Sequence, residues 1–209
     1  MASMSPKHTV LVVVDVQNDF CPGGALAVGG GNEILPQVND LIARFEHVVL
    51  TQDWHPADHS SFASSHEGQS PFAAIDVFYG PQTLWPDHCV QGTRGAEFHP
   101  DLRWTKAELI LRKGFRRAID SYSAFFENDR RTPTGLAGYL RERGFSRVVL
   151  AGLATDYCVT YSALDAARLG FTVMVAQDAC RGIDLGGSLA DAERQMKGAG
   201  VMLTRSAEV

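Results

Sequence analysis

Three residues far apart in the chain have the types needed to build a nucleophile: Asp15 in "VDVQNDF", Lys113 in "LRKGF" and Cys158 in "AGLATDYCV". A thiol becomes nucleophilic when a neighbour takes its proton, and the thiolate then needs a positive charge beside it. Asp15, if partly desolvated, suits the first role and Lys113 the second. Cys158 follows the apolar run "RVVLAGLA" and opens a segment with helical spacing. Backbone N–H groups at such a helix start lower a thiol's pKa and can hold an oxyanion. Each residue also has a plain structural reading. Free cysteine is among the most buried residue types, Asp15 could begin a turn, and Lys113 could be a solvated strand end. Thr155 or Asp156 could cap the helix.

A second group of chemically able residues lies in "DWHPADHSSF" and "WPDHC": Asp53, His55, His59 and His88. Carboxylate and imidazole together suit Zn²⁺, Fe²⁺ or Mn²⁺. His66 and His99 read as ordinary loop histidines. Cys89 adjoins His88, but no CxxC pair supports a cysteine zinc site, and Cys21 and Cys180 read as structural.

Positioning these residues requires a scaffold, and the chain alternates accordingly. Apolar runs occur at 9–16, 47–53, 107–113, 147–154, 172–179 and 201–204. Unbroken by polar alternation, they predict strands covered on both faces, as in a parallel sheet. Segments with helical periodicity lie at 29–46, 133–144, 155–170 and 189–200, the second and third ending at Gly144 and Gly170. This rhythm predicts an α/β fold with a doubly wound, mostly parallel sheet and helices on both faces, a three-layer Rossmann-like sandwich. Ligands of such sheets bind beyond the carboxyl ends of the strands. The exit residues there are Asp15, Asp53, Lys113 and Cys158, and their coincidence at one edge favours chemistry over the separate structural readings. Residues 54–106 hold no good strand, five prolines and five histidines, and read as an ordered functional loop.

The bulk numbers set limits. The chain of 209 residues is 45% hydrophobic and 21% charged, as a soluble globular protein is, and suits one domain over 1–209 with a binding loop region at about 53–106. A net charge of −5 argues against nucleic acid or an anionic membrane as the main partner. Four scattered cysteines fit a reducing compartment. "MASMSPKH" leads straight into "TVLVVV", a run too short for a signal peptide or a membrane span. The expected location is the cytoplasm.

The motifs at 14–28, 51–62, 85–100, 111–125 and 151–159, in this order, resemble the nicotinamidases, also called pyrazinamidases, among the isochorismatase-like cysteine hydrolases. The resemblance spans residue 10 to about 185. It implies a six-stranded sheet, a catalytic Asp15, Lys113 and Cys158, and one divalent metal ion held by Asp53, His55 and His88. Whether His59 also ligates is left open. It implies a cis peptide at Leu153–Ala154 that aims the N–H groups of Ala154 and Cys158 at an oxyanion, and a pocket lined by Phe20, Leu26, Trp85 and Tyr122. The implied reaction converts nicotinamide, and pyrazinamide, to the acid and ammonia through a thioester, in NAD salvage. The alternative is a relative acting on another small amide, carbamoyl or vinyl-ether substrate, which would lack the Asp53/His55/His88 group. A redox-sensing thiol would want a resolving cysteine near Cys158, and the sequence places none there. A homo-oligomer stays open, Arg116 and Arg117 have no assigned role, and the loop at 66–84 is placed to adjust access to the site.

Overall fold

The computed structural model describes residues 8–209; residues 1–7, with most of the "MASMSPKH" stretch and the start of the expected 1–209 domain, lie outside the described residues. The strands in chain order are β1 (Thr9–Val14), β2 (His47–Asp53), β3 (Ala74–Val77), β4 (Gly80–Thr83), β5 (Leu109–Lys113), β6 (Arg147–Leu153), β7 (Thr172–Arg181) and β8 (Met202–Thr204). The helices are α1 (Leu35–Arg44), α2 (Leu136–Glu142), α3 (Thr160–Arg168) and α4 (Ser188–Gly198). Six strands form one sheet in the order β5-β2-β1-β6-β7-β8, with every neighbouring pair parallel.

The apolar runs form strands because both faces of the sheet are covered. In β1 the odd residues Leu11 and Val13 pack with Ile34, Leu35, Val38, Leu41 and Ile42 of the α1 segment. The even residues Val10, Val12 and Val14 pack with Leu136 and Leu140 of α2, Ala163 and Ala166 of α3, and Met196 of α4. The α1 side chains recur at helical spacing, so burial of one stripe holds that helix to the sheet. Truncating one of these leucines to alanine costs roughly 2–5 kcal/mol. Chain order reverses between β1 and β6: the connection after β1 runs to one side, and those after β6 run to the other. The residues leaving β1 and β6 therefore flank the crevice where such sheets bind ligands.

Two expectations need correction. The segment 54–106 does contain strands, the antiparallel hairpin β3–β4. It lacks the apolar signature because its fully buried residue is polar, Gln82, and Pro81 sits within β4. The segment carrying Cys158 does not begin as an α-helix. Thr155–Val159 forms a π-helical turn, and α3 starts only at Thr160. Among the described residues no helix is long and apolar enough to cross a membrane.

Candidate active site

Asp15, the residue that follows β1, has a left-handed conformation (φ 47°), uncommon for a residue with a side chain. Thr51 of β2 fixes it there: its hydroxyl donates to Asp15 Oδ1 at 2.6 Å and accepts from the Asp15 N–H at 3.2 Å. The other carboxylate oxygen faces Lys113 Nζ at 2.8 Å. Lys113, the last residue of β5, is buried, and its ammonium also donates to Asp53 Oδ1 at 3.0 Å, the Ser121 carbonyl at 2.9 Å and Cys158 Sγ at 3.4 Å. The expected set of acid, ammonium and thiol is thus one contiguous buried cluster.

Its electrostatics follow from burial. Desolvation pushes the Cys158 thiol well above its usual pKa, with Lys113 opposing and Asp15 adding to the rise as it accepts the thiol's hydrogen bond. The thiol is therefore protonated at rest, against the lowered value expected for a helix start, and needs a base to be activated. Desolvation also raises Asp15, partly countered by Lys113, which makes this carboxylate a better proton acceptor. Burial disfavours the Lys113 charge, but Asp15, Asp53 and Cys158 together hold its pKa well above the ordinary value. Burial also acts to raise Asp53, but His55 and Lys113 outweigh it and hold that carboxyl well below the usual range.

Asp53, His55 and His88 meet beside this cluster. Asp53 Oδ2 lies 2.9 Å from His55 Nε2 and 3.4 Å from His88 Nε2. Each imidazole donates its Nδ1–H to a carbonyl, His55 to Gly114 and His88 to Pro86, both at 2.8 Å. Anchored in this way, both rings present Nε2 to the same point as a carboxylate oxygen, a donor set that fits a divalent cation. His59 joins His55 and Asp120 in a second close group. Its ring nitrogens are spent locally, Nδ1 accepting from Ser61 Oγ at 2.7 Å and Nε2 donating to the Ile119 carbonyl at 3.2 Å. Gly114 was not singled out by sequence. At φ +65° it lies so close to His55 that a Cβ would come within 2.4 Å of the ring.

Phe20, Leu26, Trp85 and Tyr122 line one cavity with Asp53, His88, Ala154 and Cys158. Asp120, Tyr157 and Ile183 line it too and had no signal beyond, for Tyr157, adjacency to Cys158. Trp85 Nε1 donates to the Tyr122 hydroxyl at 3.1 Å, and Gln82 of the hairpin donates to that hydroxyl at 3.0 Å and to Asp120 Oδ2 at 2.8 Å. The loop at 66–84 thus supports the pocket wall. The Leu153–Ala154 peptide is cis. His66 bonds the Ser60 carbonyl at 2.8 Å and His99 faces Asp101 at 3.9 Å. Neither lines the cavity. Cys21, Cys89 and Cys180 are free and buried. Arg116 and Arg117 fasten their loop, donating to Glu127 at 2.7 Å and Asp58 at 2.6 Å. Asp156 caps no helix; its carboxylate reaches the backbone of Ile183 and Asp184.

Comparison with known proteins finds relatives over nearly the whole chain. A family model of the isochorismatase domain matches residues 9–208. A nicotinamidase of Acinetobacter baylyi is 55% identical over 203 residues, covering 97% of this chain and 95% of that protein. The solved structure of the Acinetobacter baumanii nicotinamidase–pyrazinamidase superposes with a TM-score of 0.96 at 55% identity, covering 98% of this chain and 99% of that one. The pyrazinamidase of Pyrococcus horikoshii, solved in complex with zinc, gives a TM-score of 0.77 at 38% identity over 95% of this chain and 99% of that one.

Proposed function

The chain belongs to the isochorismatase domain family, and from that premise we propose that it is an amidohydrolase converting nicotinamide to nicotinate and ammonia, with pyrazinamide as a second substrate. The observation that carries this reading is Lys113 Nζ, 2.8 Å from Asp15 and 3.4 Å from the sulfur of Cys158, a residue that lines an aromatic-walled cavity.

The residues divide the work. The aromatic walls Phe20 and Trp85 hold the pyridine ring and present its carboxamide to Cys158. Asp15 takes the Sγ proton as sulfur attacks the amide carbon. The carbonyl oxygen becomes an oxyanion facing the N–H groups of Ala154 and Cys158; one such donor is worth about 3 kcal/mol. Asp15 returns its proton to the amide nitrogen, the C–N bond breaks, and ammonia leaves a thioester on Cys158. Water then gives a proton to Asp15 and attacks the thioester carbon. The C–S bond breaks, Asp15 passes its proton to the Cys158 sulfur, and the product leaves as the acid, which ionises in solvent to nicotinate. Lys113 keeps its charge throughout and stabilises whichever of Asp15 and Cys158 is anionic. Asp53, His55 and His88 would hold a divalent ion, Zn²⁺, Fe²⁺ or Mn²⁺, which when bound supplies a Lewis acid for the ring nitrogen, orienting the ring and drawing electrons from it. The four unpaired cysteines suit a reducing cytoplasm, where the reaction would serve NAD salvage.

The test is ammonia release from nicotinamide, pyrazinamide, benzamide and carbamoyl amides, with elemental analysis of the same sample. Turnover of the pyridine and pyrazine amides by metal-loaded protein is expected. Turnover confined to carbamoyl substrates would replace this reading with that of another family activity.

A further inference from the structure

The cavity beside Cys158 measures about 20 Å³ in the structure. That is room for about one water, and an aromatic amide requires a wall to move. Most walls are braced. Trp85 and Tyr122 bond each other, and Gln82 bonds Tyr122. The loop from Phe20 to Leu26 is laced to Asp19, whose carboxylate also takes the Cys89 N–H at 2.7 Å. Asp53 and His88 belong to the buried donor cluster.

Ile183 is held differently. It sits on the strap between β7 and α4, where Asp184, Gly186 and Gly187 all have positive φ. The strap is gripped by Asp156, buried in the turn that carries Cys158. Asp156 Oδ1 accepts from the Ile183 N–H at 2.9 Å. Oδ2 accepts from the Asp184 N–H at 2.8 Å and from Ser188 Oγ at 2.5 Å. Gly182 lies against the same carboxylate, where a Cβ would sit 3.2 Å from Oδ1. One carboxylate thus fixes the only aliphatic wall residue of the cavity that lies on the strap.

We propose that Ile183 determines which ring substituents the pocket accepts, and that Asp156 is the positioning residue that holds it there. The inference rests on the reading of the site as an aromatic amidohydrolase. A branched apolar side chain against a ring discriminates by size, and each methylene is worth about tenfold or more in selectivity.

The experiment compares nicotinamide with nicotinamides methylated singly at C4, C5 or C6, by steady-state ammonia release. Ile183→Ala should raise KM for nicotinamide about tenfold with kcat nearly kept, and should shift kcat/KM by about tenfold toward at least one methylated amide. Asp156→Asn keeps the acceptor for Ile183 but turns a donor toward the Asp184 N–H, and should shift the ratio the same way. The double variant should shift it no further, because Asp156 acts through Ile183. Ser188→Ala, which removes one bond and leaves the carboxylate, should give a smaller shift and remains informative if Asp156→Asn does not fold. Equal losses on all four amides, or fully additive effects in the double variant, would overturn the proposal. The same ratios read as binding of nicotinate and its methylated forms, through tryptophan emission, separate the two ideas. A wild type that releases no ammonia but whose binding ratio shifts with Ile183→Ala fails as an amidohydrolase and keeps the strap. An active wild type whose ratios do not move loses the strap alone.

Discussion

The Lys113 ammonium donates to Asp53 Oδ1 at 3.0 Å, so a single side chain joins the group around Cys158 to the group around His55 and His88. Each group is buried and each holds a carboxylate that needs a counter-charge. Lys113 supplies it to both, since Asp15 Oδ2 lies 2.8 Å from the same nitrogen.

Replacing Lys113 should therefore damage two sites at once. Lys113→Met leaves two buried carboxylates without their shared partner, a change that costs about 3–5 kcal/mol of stability where such pairs are broken. Ammonia release from nicotinamide should fall by about a thousandfold, and metal content by elemental analysis should fall with it. A folded variant with full metal and near wild-type turnover would show that the junction is incidental.

The imidazole group has its own point of failure in Gly114. Its carbonyl accepts the His55 Nδ1–H at 2.8 Å, and an added Cβ would lie 2.4 Å from His55 Cε1 and 3.0 Å from Asp53 Oδ1. The φ of +65° also disfavours any side chain there. Gly114→Ala should displace the His55 ring and lower metal affinity by about 10–100-fold, measured by chelator competition. Unchanged affinity in the folded variant would mean that another residue carries the metal.

Asp15 and Cys158 separate general-base from nucleophile loss. Cys158→Ala should abolish turnover. Asp15→Asn keeps the size of the side chain and the Thr51 contact but cannot take the thiol's proton, and should cost about 10²–10⁴-fold in kcat. Circular dichroism and melting should show both variants folded. Substantial turnover by Asp15→Asn would remove the base from the mechanism.

Much of this was legible in the sequence, for a physical reason. Strands buried on both faces must be apolar throughout, so β1, β2 and β6 declared themselves, and the polar residues that ended them stood out as Asp15, Asp53 and the Cys158 turn. What escaped depended on partners. Gln82 is polar and buried because Asp120 and Tyr122 receive its hydrogen bonds, which no local pattern reveals. Asp156 read as a helix cap until the strap that it grips came beside it. Ile183 is one aliphatic residue among many until the fold brings it to the cavity. Arg116 and Arg117 had no role until Glu127 and Asp58 came within reach.

Away from the active site, Asp178 on β7 allows a test of pH and stability. Its carboxylate accepts from the Ser206 N–H and the Ser206 hydroxyl, each at 2.7 Å, and so pins the C-terminal turn to the sheet. Burial pushes the Asp178 pKa up, but the two Ser206 bonds outweigh it, with help from Arg205, and hold the group below its ordinary value. A carboxyl whose folded pKa is depressed adds stability that is fully present above the unfolded pKa of about 3.9, and loses it as pH falls through the folded value. Asp178→Asn should therefore melt below the wild type at pH 7. The difference between the two melting temperatures should narrow as pH falls below about 4, where the wild-type carboxylate also loses its charge. The group is only partly buried, so solvent screening keeps the effect small. Arg44, which donates to the Ser206 carbonyl at 2.5 Å and the Val209 carbonyl at 3.0 Å, keeps the turn docked in the variant. A gap in melting temperature that stays constant from pH 7 to pH 3 would assign the contribution to the geometry of the bonds and not to the carboxylate charge.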